Sequence, residues 1–215
     1  MSQTELMTPS QRTALEHVAR ELHAKFKGVF GQETIMALLE DSFNELAATA
    51  TVKEYLVVSA KRFAYQRLKA LANAADQTRT RVPAVLFLCV HNAGRSQMAL
   101  GWFTHLAKDR AMAWSGGSEP GTEINQGAVA AMGEVGIDIS KEFPKPMVDE
   151  FMGAADVVVT MGCGDACPLL PGKRYEDWEL EDPAGKTLEE IRPIRDEIGR
   201  RVEVLLTELL PSPTL

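Results

Sequence analysis

The first 80 residues carry three stretches in which apolar residues recur every three or four positions, the spacing of one helix face. The recurring residues are Leu15, Val18, Leu22 and Phe26 in the first stretch, Ile35, Leu38, Leu39, Phe43 and Leu46 in the second, and Leu56, Ala60, Phe63 and Ala64 in the third. Residues 8–11, Thr-Pro-Ser-Gln, and the pair Thr51 and Glu54 have the sequence of helix N-caps. The pattern predicts a small bundle of three amphipathic helices.

From residue 84 onward, apolar runs typical of buried strands alternate with helical patterns. The predicted strands are residues 84–90, 111–115 and 155–161, and the first two predicted helices are residues 96–107 and 126–135. A last helix has an apolar stripe from Ile191 to Leu209 and a cap formed by Thr187 and Glu190. Because Pro193 lies inside it, we expect a later start or a kink. The alternation predicts a three-layer α/β/α domain with a central parallel sheet.

A polar segment at residues 73–83, which ends in Pro83, separates the two patterns and is interpreted as a linker. We therefore predict two domains, a three-helix domain at residues 1–80 and an α/β domain at residues 81–215. The length of 215 residues is ample for both.

Composition narrows the class of protein. A hydrophobic content of 45% excludes a disordered chain, and the net charge of −7 argues against nucleic-acid binding. No apolar run is long enough to span a membrane, and the N-terminus lacks the features of a signal peptide, so we expect a cytoplasmic protein. Three cysteines are an odd number, which in a reducing compartment favours reactive thiols over structural disulfides.

The segment that carries most chemistry follows the first predicted strand of the α/β domain. Cys89 ends the strand, and the predicted anion-binding residues are Val90, His91, Asn92, Ala93, Gly94, Arg95 and Ser96. Backbone N–H groups at such a strand-to-helix turn favour an anion, and a guanidinium grips two oxygens at once. The spacing of Cys89 and Arg95 suits one tetrahedral oxyanion with the thiol beneath it, in an environment that favours the thiolate. The alternative is a buried strand-end cysteine beside an unrelated arginine. We expect His91 to have a supporting role, Asn92 to hold the loop in shape, and Ser96 to donate to the thiolate.

The two other cysteines, Cys163 and Cys167, lie four positions apart, within disulfide range on one helical turn. Glycines flank Cys163, which gives its backbone the mobility that a redox cysteine needs. The alternative is a pair of incidental thiols. A zinc site would need two more ligands, His17 and His23 do not share a helix face, and we predict no metal and no bound cofactor.

Four segments in order, CVHNAGRSQMA at 89–99, SGGSEPG at 115–121, VVVTMGCGDACP at 157–168 and WELEDP at 178–183, resemble the low-molecular-weight tyrosine phosphatase family. The resemblance is closer to its arsenate reductase branch, of the type coupled to thioredoxin. Two departures stand out, because many members have glycine where His91 stands and a second cysteine where Gly94 stands. Residues 1–80 resemble a helical extension of some actinobacterial relatives.

The resemblance implies that Cys89 attacks arsenate, that Asp182 is the general acid, and that Cys163 and then Cys167 resolve the adduct through disulfides, with thioredoxin as the external dithiol reductant. Phosphate and sulfate would be substrate analogues. Acidic residues near Asp182 at positions 176, 177, 179 and 181 favour its protonated form. Tyr175 is a candidate for the site entrance, and Trp178 is either an apolar lid or a core residue.

Three alternatives stay open at this point. A phosphatase would use water to resolve the Cys89 intermediate, and a reductase of another type would use a small thiol such as mycothiol or glutathione. A non-enzymatic oxyanion sensor would use residues 1–80 as an interaction module. The same residues are also a candidate for forming a homodimer.

Overall fold

The computed structural model describes residues 7–49, 55–76, 81–162 and 169–210. The chain divides into two compact units, Met1–Asp76 and Gln77–Leu215. The predicted cap at Thr51 and Glu54, and the cysteines Cys163 and Cys167, lie outside the described residues. In the part of the chain that is described, no helix has the length and apolar character needed to cross a membrane.

The first unit contains the three predicted helices, α1 (Pro9–Lys25), α2 (Gln32–Thr49) and α3 (Leu56–Ala75). Helix α1 begins with the predicted capping box, in which Thr8 and Gln11 satisfy each other's backbone N–H groups. The apolar stripes pack against one another, and Leu15, Leu39 and Phe63 are fully buried. The predicted linker begins too early, because α3 continues through Ala75.

The second unit is built on a four-stranded sheet. Its strands are β1 (Ala84–Cys89), β2 (Met112–Gly117), β3 (Val157–Thr160) and β4 (Arg174–Asp177), in the order β2-β1-β3-β4 and all parallel. The helices are α4 (Arg95–Ala107), α5 (Gln126–Glu134), α6 (Asp149–Ala154) and α7 (Leu188–Leu209). Because neighbouring strands are parallel, a crossover joins each strand to the next. The loops that follow the strands therefore all begin at the same edge of the sheet.

The helices cover both faces of the sheet. Val85 and Phe87 of β1 belong to the core that α4, α5 and α7 close. Trp114 of β2 is paired with Leu86 and therefore points to the opposite face, where Phe151 of α6 stacks on it with ring centroids 5.5 Å apart. The predicted three-layer α/β/α arrangement with a parallel sheet is confirmed.

Two short elements, α6 and β4, were not predicted, and the later start that Pro193 suggested for α7 is wrong. Helix α7 starts at Leu188 with the predicted capping box of Thr187 and Glu190, and it continues through Pro193 instead of starting after it. The carboxyl ends of β1, β3 and β4 lie side by side, so Cys89, Gly162 and the segment leading to Asp182 all leave the sheet at one edge. This edge is where open parallel sheets bind ligands.

Candidate active site

Cys89 is the last residue of the central strand β1 and is buried, with 3% of its surface exposed. Its Sγ lies 2.9 Å from Oγ of Ser96, a fully buried hydroxyl in the first turn of α4. Ser96 Oγ also accepts a hydrogen bond from Nδ2 of Asn92 at 2.8 Å. The hydroxyl is therefore placed to donate to the Cys89 sulfur when that sulfur is a thiolate.

The loop between β1 and α4 turns its carbonyl groups away from Cys89. The carbonyls of Val90, His91 and Ala93 each accept a hydrogen bond of 2.9 Å from a backbone N–H of the segment that follows β2. Those donors are Glu119, Gly121 and Asn125. In the described part of the chain, no protein acceptor is bonded to a backbone N–H of residues 91–96. These N–H groups and the start of α4 form a nest with the chemistry of an anion site.

Asn92 holds this loop in shape, as the sequence predicts. It is fully buried and has φ +47°, a left-handed conformation that asparagine tolerates better than most residues. Its Oδ1 accepts from the backbone N–H of Lys145 at 3.0 Å and from Nε2 of Gln97 at 2.9 Å. His91 is exposed, and its Nδ1 lies 3.0 Å from the carbonyl oxygen of Glu119, a contact that suits a supporting role.

Arg95 and Asp182 form an ion pair across the mouth of the loop. Arg95 Nη2 donates to Asp182 Oδ2 at 2.6 Å, and Nη1 donates to the carbonyl oxygen of Leu180 at 3.3 Å. The arginine side chain is 11% exposed and the aspartate side chain is 48% exposed. The other aspartate oxygen accepts from the backbone N–H of Ala184 at 2.9 Å, which fixes the carboxylate. Two predicted residues that lie 87 positions apart are thus in direct contact.

Most of the acidic residues that precede Asp182 have hydrogen-bond partners of their own. Three of the four acidic neighbours have their own donors: Trp178 Nε1 for Glu176 at 2.8 Å, Thr160 Oγ1 for Asp177 at 2.6 Å and Lys186 for Glu181 at 2.8 Å. The hydrogen bond to Glu181 raises the pKa of Lys186. The charged group in direct contact with Asp182 is the Arg95 cation, a partner that the sequence did not indicate.

Two glycines allow close approach around Arg95. A Cβ atom at Gly94 would lie 2.5 Å from Cγ of Pro183, so the segment of Asp182 packs directly on the loop. Gly162 has φ +77°, and a Cβ there would lie 3.0 Å from Nη1 of Arg95. The backbone therefore passes next to the Arg95 guanidinium at Gly162, the residue before Cys163.

A cavity of about 50 Å³ lies between these elements. It is lined by Cys89, His91, Ala93, Gly94, Arg95, Asn125, Asp182, Pro183 and Ala184. Its volume is far below the several hundred Å³ of a pocket for a drug-sized ligand. A small inorganic anion matches this space. A larger cavity of about 260 Å³ lies between β4 and α7, and no predicted catalytic or anion-binding residue lines it.

The fold bears on two sequence-based interpretations. Trp178 is a core residue, since it is 5% exposed and its ring packs 5.9 Å from that of Phe87. Tyr175 does not line the cavity, and its hydroxyl instead accepts the backbone N–H of Leu170 at 2.7 Å. The entrance role of Tyr175 stays a prediction.

Three supporting residues were missed. Gln97 and Lys145 hold Asn92, and Asn125 both caps α5 and lines the cavity. The one sequence signal for Gln97 is its position in the segment CVHNAGRSQMA, two residues after Arg95. Among the described residues, no group of three His, Cys, Asp or Glu side chains is arranged to hold a metal ion.

Two family models match the chain one after the other. The model described as the protein-tyrosine-phosphatase-like N-terminal domain matches residues 15–72, and the model described as low molecular weight phosphotyrosine protein phosphatase matches residues 84–212. The second match covers more than half of the chain. The chain belongs to the low molecular weight phosphotyrosine protein phosphatase family. The resemblance inferred from the four sequence segments is confirmed.

Several relatives of this phosphatase-family chain are arsenate reductases. Arsenate reductase 2 of Staphylococcus haemolyticus (strain JCSC1435) is 40% identical over 127 residues, which are 57% of this chain and 95% of the relative. The solved Corynebacterium glutamicum thioredoxin-dependent arsenate reductase is 41% identical with a TM-score of 0.80, and covers 92% of this chain and 96% of its own. A solved arsenate reductase in the phosphate binding state is 36% identical with a TM-score of 0.54, and the match covers 60% of this chain and 99% of that structure's chain.

Proposed function

We propose that this protein reduces arsenate to arsenite with Cys89, Cys163 and Cys167 as a thiol relay, and that thioredoxin restores the reduced form. The observation that carries the proposal is the small cavity at Cys89, which is lined by Arg95 and by loop residues whose backbone N–H groups have no protein acceptor in the described part of the chain. Similarity to a thioredoxin-dependent arsenate reductase and to an arsenate reductase that binds phosphate supports the choice of substrate and reductant.

The first step is a substitution at arsenic. The Cys89 thiolate attacks the arsenic atom, a sulfur–arsenic bond forms, and one arsenic–oxygen bond breaks. Once the bound oxyanion has taken the place of Asp182 on Arg95, the released carboxylate takes up a proton. Asp182 then gives this proton to the departing oxygen, which leaves as water. Arg95 and the backbone N–H groups of residues 90–96 hold the remaining oxygens where negative charge develops. No electrons are transferred to arsenic in this step.

Reduction occurs when a second thiolate attacks Cys89. Cys163 forms a disulfide with the Cys89 sulfur, the sulfur–arsenic bond breaks, and its electron pair stays on arsenic, which changes from arsenic(V) to arsenic(III). Gly162 lies against Arg95, so the chain that carries Cys163 starts near the cavity. The two sulfur atoms together supply the two electrons.

The relay then moves the disulfide away from the cavity. Cys167 attacks Cys163, which releases Cys89 as a thiolate, and an external dithiol reduces the Cys163–Cys167 disulfide and is itself oxidised. This cycle requires a reducing compartment, which is why the cytoplasm is the location in this proposal. Residues 81–215 carry all of the chemistry, and residues 1–80 are a separate domain with no assigned step.

The test is arsenate-dependent consumption of NADPH in the presence of thioredoxin and thioredoxin reductase. The full chain is expected to turn over, and the Cys163→Ser variant is expected to lose turnover while still binding phosphate. Equal rates for the two proteins with arsenate would contradict the relay. Activity only after addition of mycothiol or glutathione would replace thioredoxin by a small thiol, and aryl phosphate hydrolysis without arsenate turnover would make the protein a phosphatase.

A further inference from the structure

The side chain of Gln97 is fully buried, and Gln97 is not among the residues that line the cavity. Its Nε2 lies within hydrogen-bond distance of three oxygens, at 2.9 Å from Asn92 Oδ1, 3.0 Å from the Asn92 carbonyl and 3.1 Å from the Phe143 carbonyl. Burial removes the hydrogen bonds of an amide to water, so these three oxygens are what hold the Gln97 nitrogen in place. Oε1 of Gln97 has no hydrogen-bond partner among the described residues.

The acceptors fix which way each amide points. A carbonyl oxygen can only accept, so the two backbone carbonyls require the nitrogen of the Gln97 amide, and not its oxygen, to face them. Oδ1 of Asn92 accepts from Gln97 and from the backbone N–H of Lys145, so the amide nitrogen of Asn92 faces Ser96. Ser96 Oγ receives that hydrogen and keeps its own for the Cys89 sulfur at 2.9 Å. The donors thus run in one direction, from Gln97 to Cys89.

We propose that Gln97 is a positioning residue of the Cys89 site, which orients Asn92 and through it sets the Ser96 hydrogen bond that stabilises the Cys89 thiolate. The side-chain amide also holds Asn92 in its left-handed conformation, because it binds both the main-chain and the side-chain oxygen of that residue. The inference rests on the proposed use of Cys89 as a thiolate. It does not depend on which anion is reduced.

The decisive experiment measures the thiol itself. Full-length protein with Cys163→Ser and Cys167→Ser keeps Cys89 as its single cysteine, and its alkylation by iodoacetamide is followed by intact mass from pH 4 to pH 10. Gln97→Met is introduced into this background, because methionine has a similar length and no hydrogen to donate. The matched control is Met132→Leu, another fully buried side chain of the same unit that is not part of the hydrogen-bond chain.

Gln97→Met is expected to move the alkylation midpoint to higher pH and to slow alkylation at pH 6 at least about tenfold. The size is set by analogy with metal sites, where loss of a residue that orients a ligand through a hydrogen bond costs about 10–100-fold in affinity or activity. The control is expected to keep the parent profile. A Gln97→Met profile that matches the parent, or one that Met132→Leu reproduces, would overturn the proposal. Arsenate turnover does not enter this readout, so failure of the proposed function and failure of the positioning role are distinguishable.

Two further measurements cover the case in which Gln97→Met does not fold. Gln97→Leu is a second uncharged replacement of similar size without a donor, and the same upward shift of the midpoint is expected. On the parent background, the side-chain N–H resonances of Asn92 and Gln97 are expected to titrate with the alkylation midpoint of Cys89. Resonances that do not move through that pH range would show that the chain of donors is not coupled to the thiol.

Discussion

Replacing Asp182 with asparagine is expected to strengthen anion binding while it removes most of the turnover. The carboxylate lies 2.6 Å from Nη2 of Arg95, so in the ligand-free protein it competes with an incoming oxyanion for the same guanidinium. Asparagine keeps the shape but not the charge, and it cannot deliver a proton to the departing oxygen. The two effects have opposite signs, which makes the variant informative.

The magnitudes follow from the exposure of the pair. Two unit charges 4 Å apart interact by about 4 kcal/mol at an effective dielectric constant of 20. Asp182 is 48% exposed, so solvent reduces this to about 1 kcal/mol, the upper end of values measured for exposed pairs. That energy corresponds to an increase of about fivefold in phosphate affinity. Loss of a general acid lowers turnover by about 10²–10⁴-fold.

The assay combines calorimetric titration with inorganic phosphate and thioredoxin-coupled arsenate turnover, both at pH 7. Glu181→Gln is the matched control, because it removes a carboxylate from the same segment whose partner is Lys186 instead of Arg95. The control is expected to change both quantities less than twofold. Unchanged or weaker phosphate binding by Asp182→Asn would refute the competition for Arg95. A turnover loss below tenfold would refute its role as the acid.

Two further predictions concern packing and pH. Gly94→Ala is expected to lower the melting temperature and arsenate turnover, because its Cβ would lie 2.5 Å from Pro183 and overpacking costs about 1–3 kcal/mol; unchanged thermal melts and rates would contradict this contact. The hydrogen bonds of Arg192 and Arg195 lower the pKa of Glu134 to about 2, below its usual 4.5. A lowered carboxyl pKa stabilises the fold above pH 4.5 and ceases to do so as pH falls toward 2. Glu134→Gln is therefore expected to melt lower than the parent at pH 7, with a difference that shrinks at pH 3, and a constant difference would argue against the ion pair.

Elements with strong apolar patterns were predictable from the sequence, whereas β4 and α6, which lack such a pattern, were not. The apolar run of β1 and the polar loop before α4 gave the position of Cys89, because a buried parallel strand has few alternatives. Strand β4, Arg-Tyr-Glu-Asp, lies at the sheet edge and carries charges that suit an edge, so it has no apolar pattern to read. Helix α6 has six residues, too few for a period of 3.6 to show.

The contacts of the site also divide into local ones, which the sequence indicated, and long-range ones, which it did not. Cys89, Arg95 and Ser96 are close in sequence, and the turn between β1 and α4 is enough to place all three around one loop. The ion pair of Arg95 with Asp182 joins residues from different elements, so sequence alone suggested like charges near Asp182 where the fold supplies a cation. The role of Gln97 depends on the carbonyl of Phe143, 46 positions away, which no local pattern reveals.

The central claim is that one arsenite is released for each disulfide formed between Cys89 and Cys163. A single turnover of the Cys167→Ser variant with arsenate tests it most directly, with arsenite quantified and the disulfide mapped by mass spectrometry of the non-reduced peptides. The proposed relay predicts equal amounts of arsenite and of the Cys89–Cys163 disulfide, and neither product when Cys163→Ser is added. Arsenite released without this disulfide, or no arsenite from a protein that binds phosphate, would contradict the account.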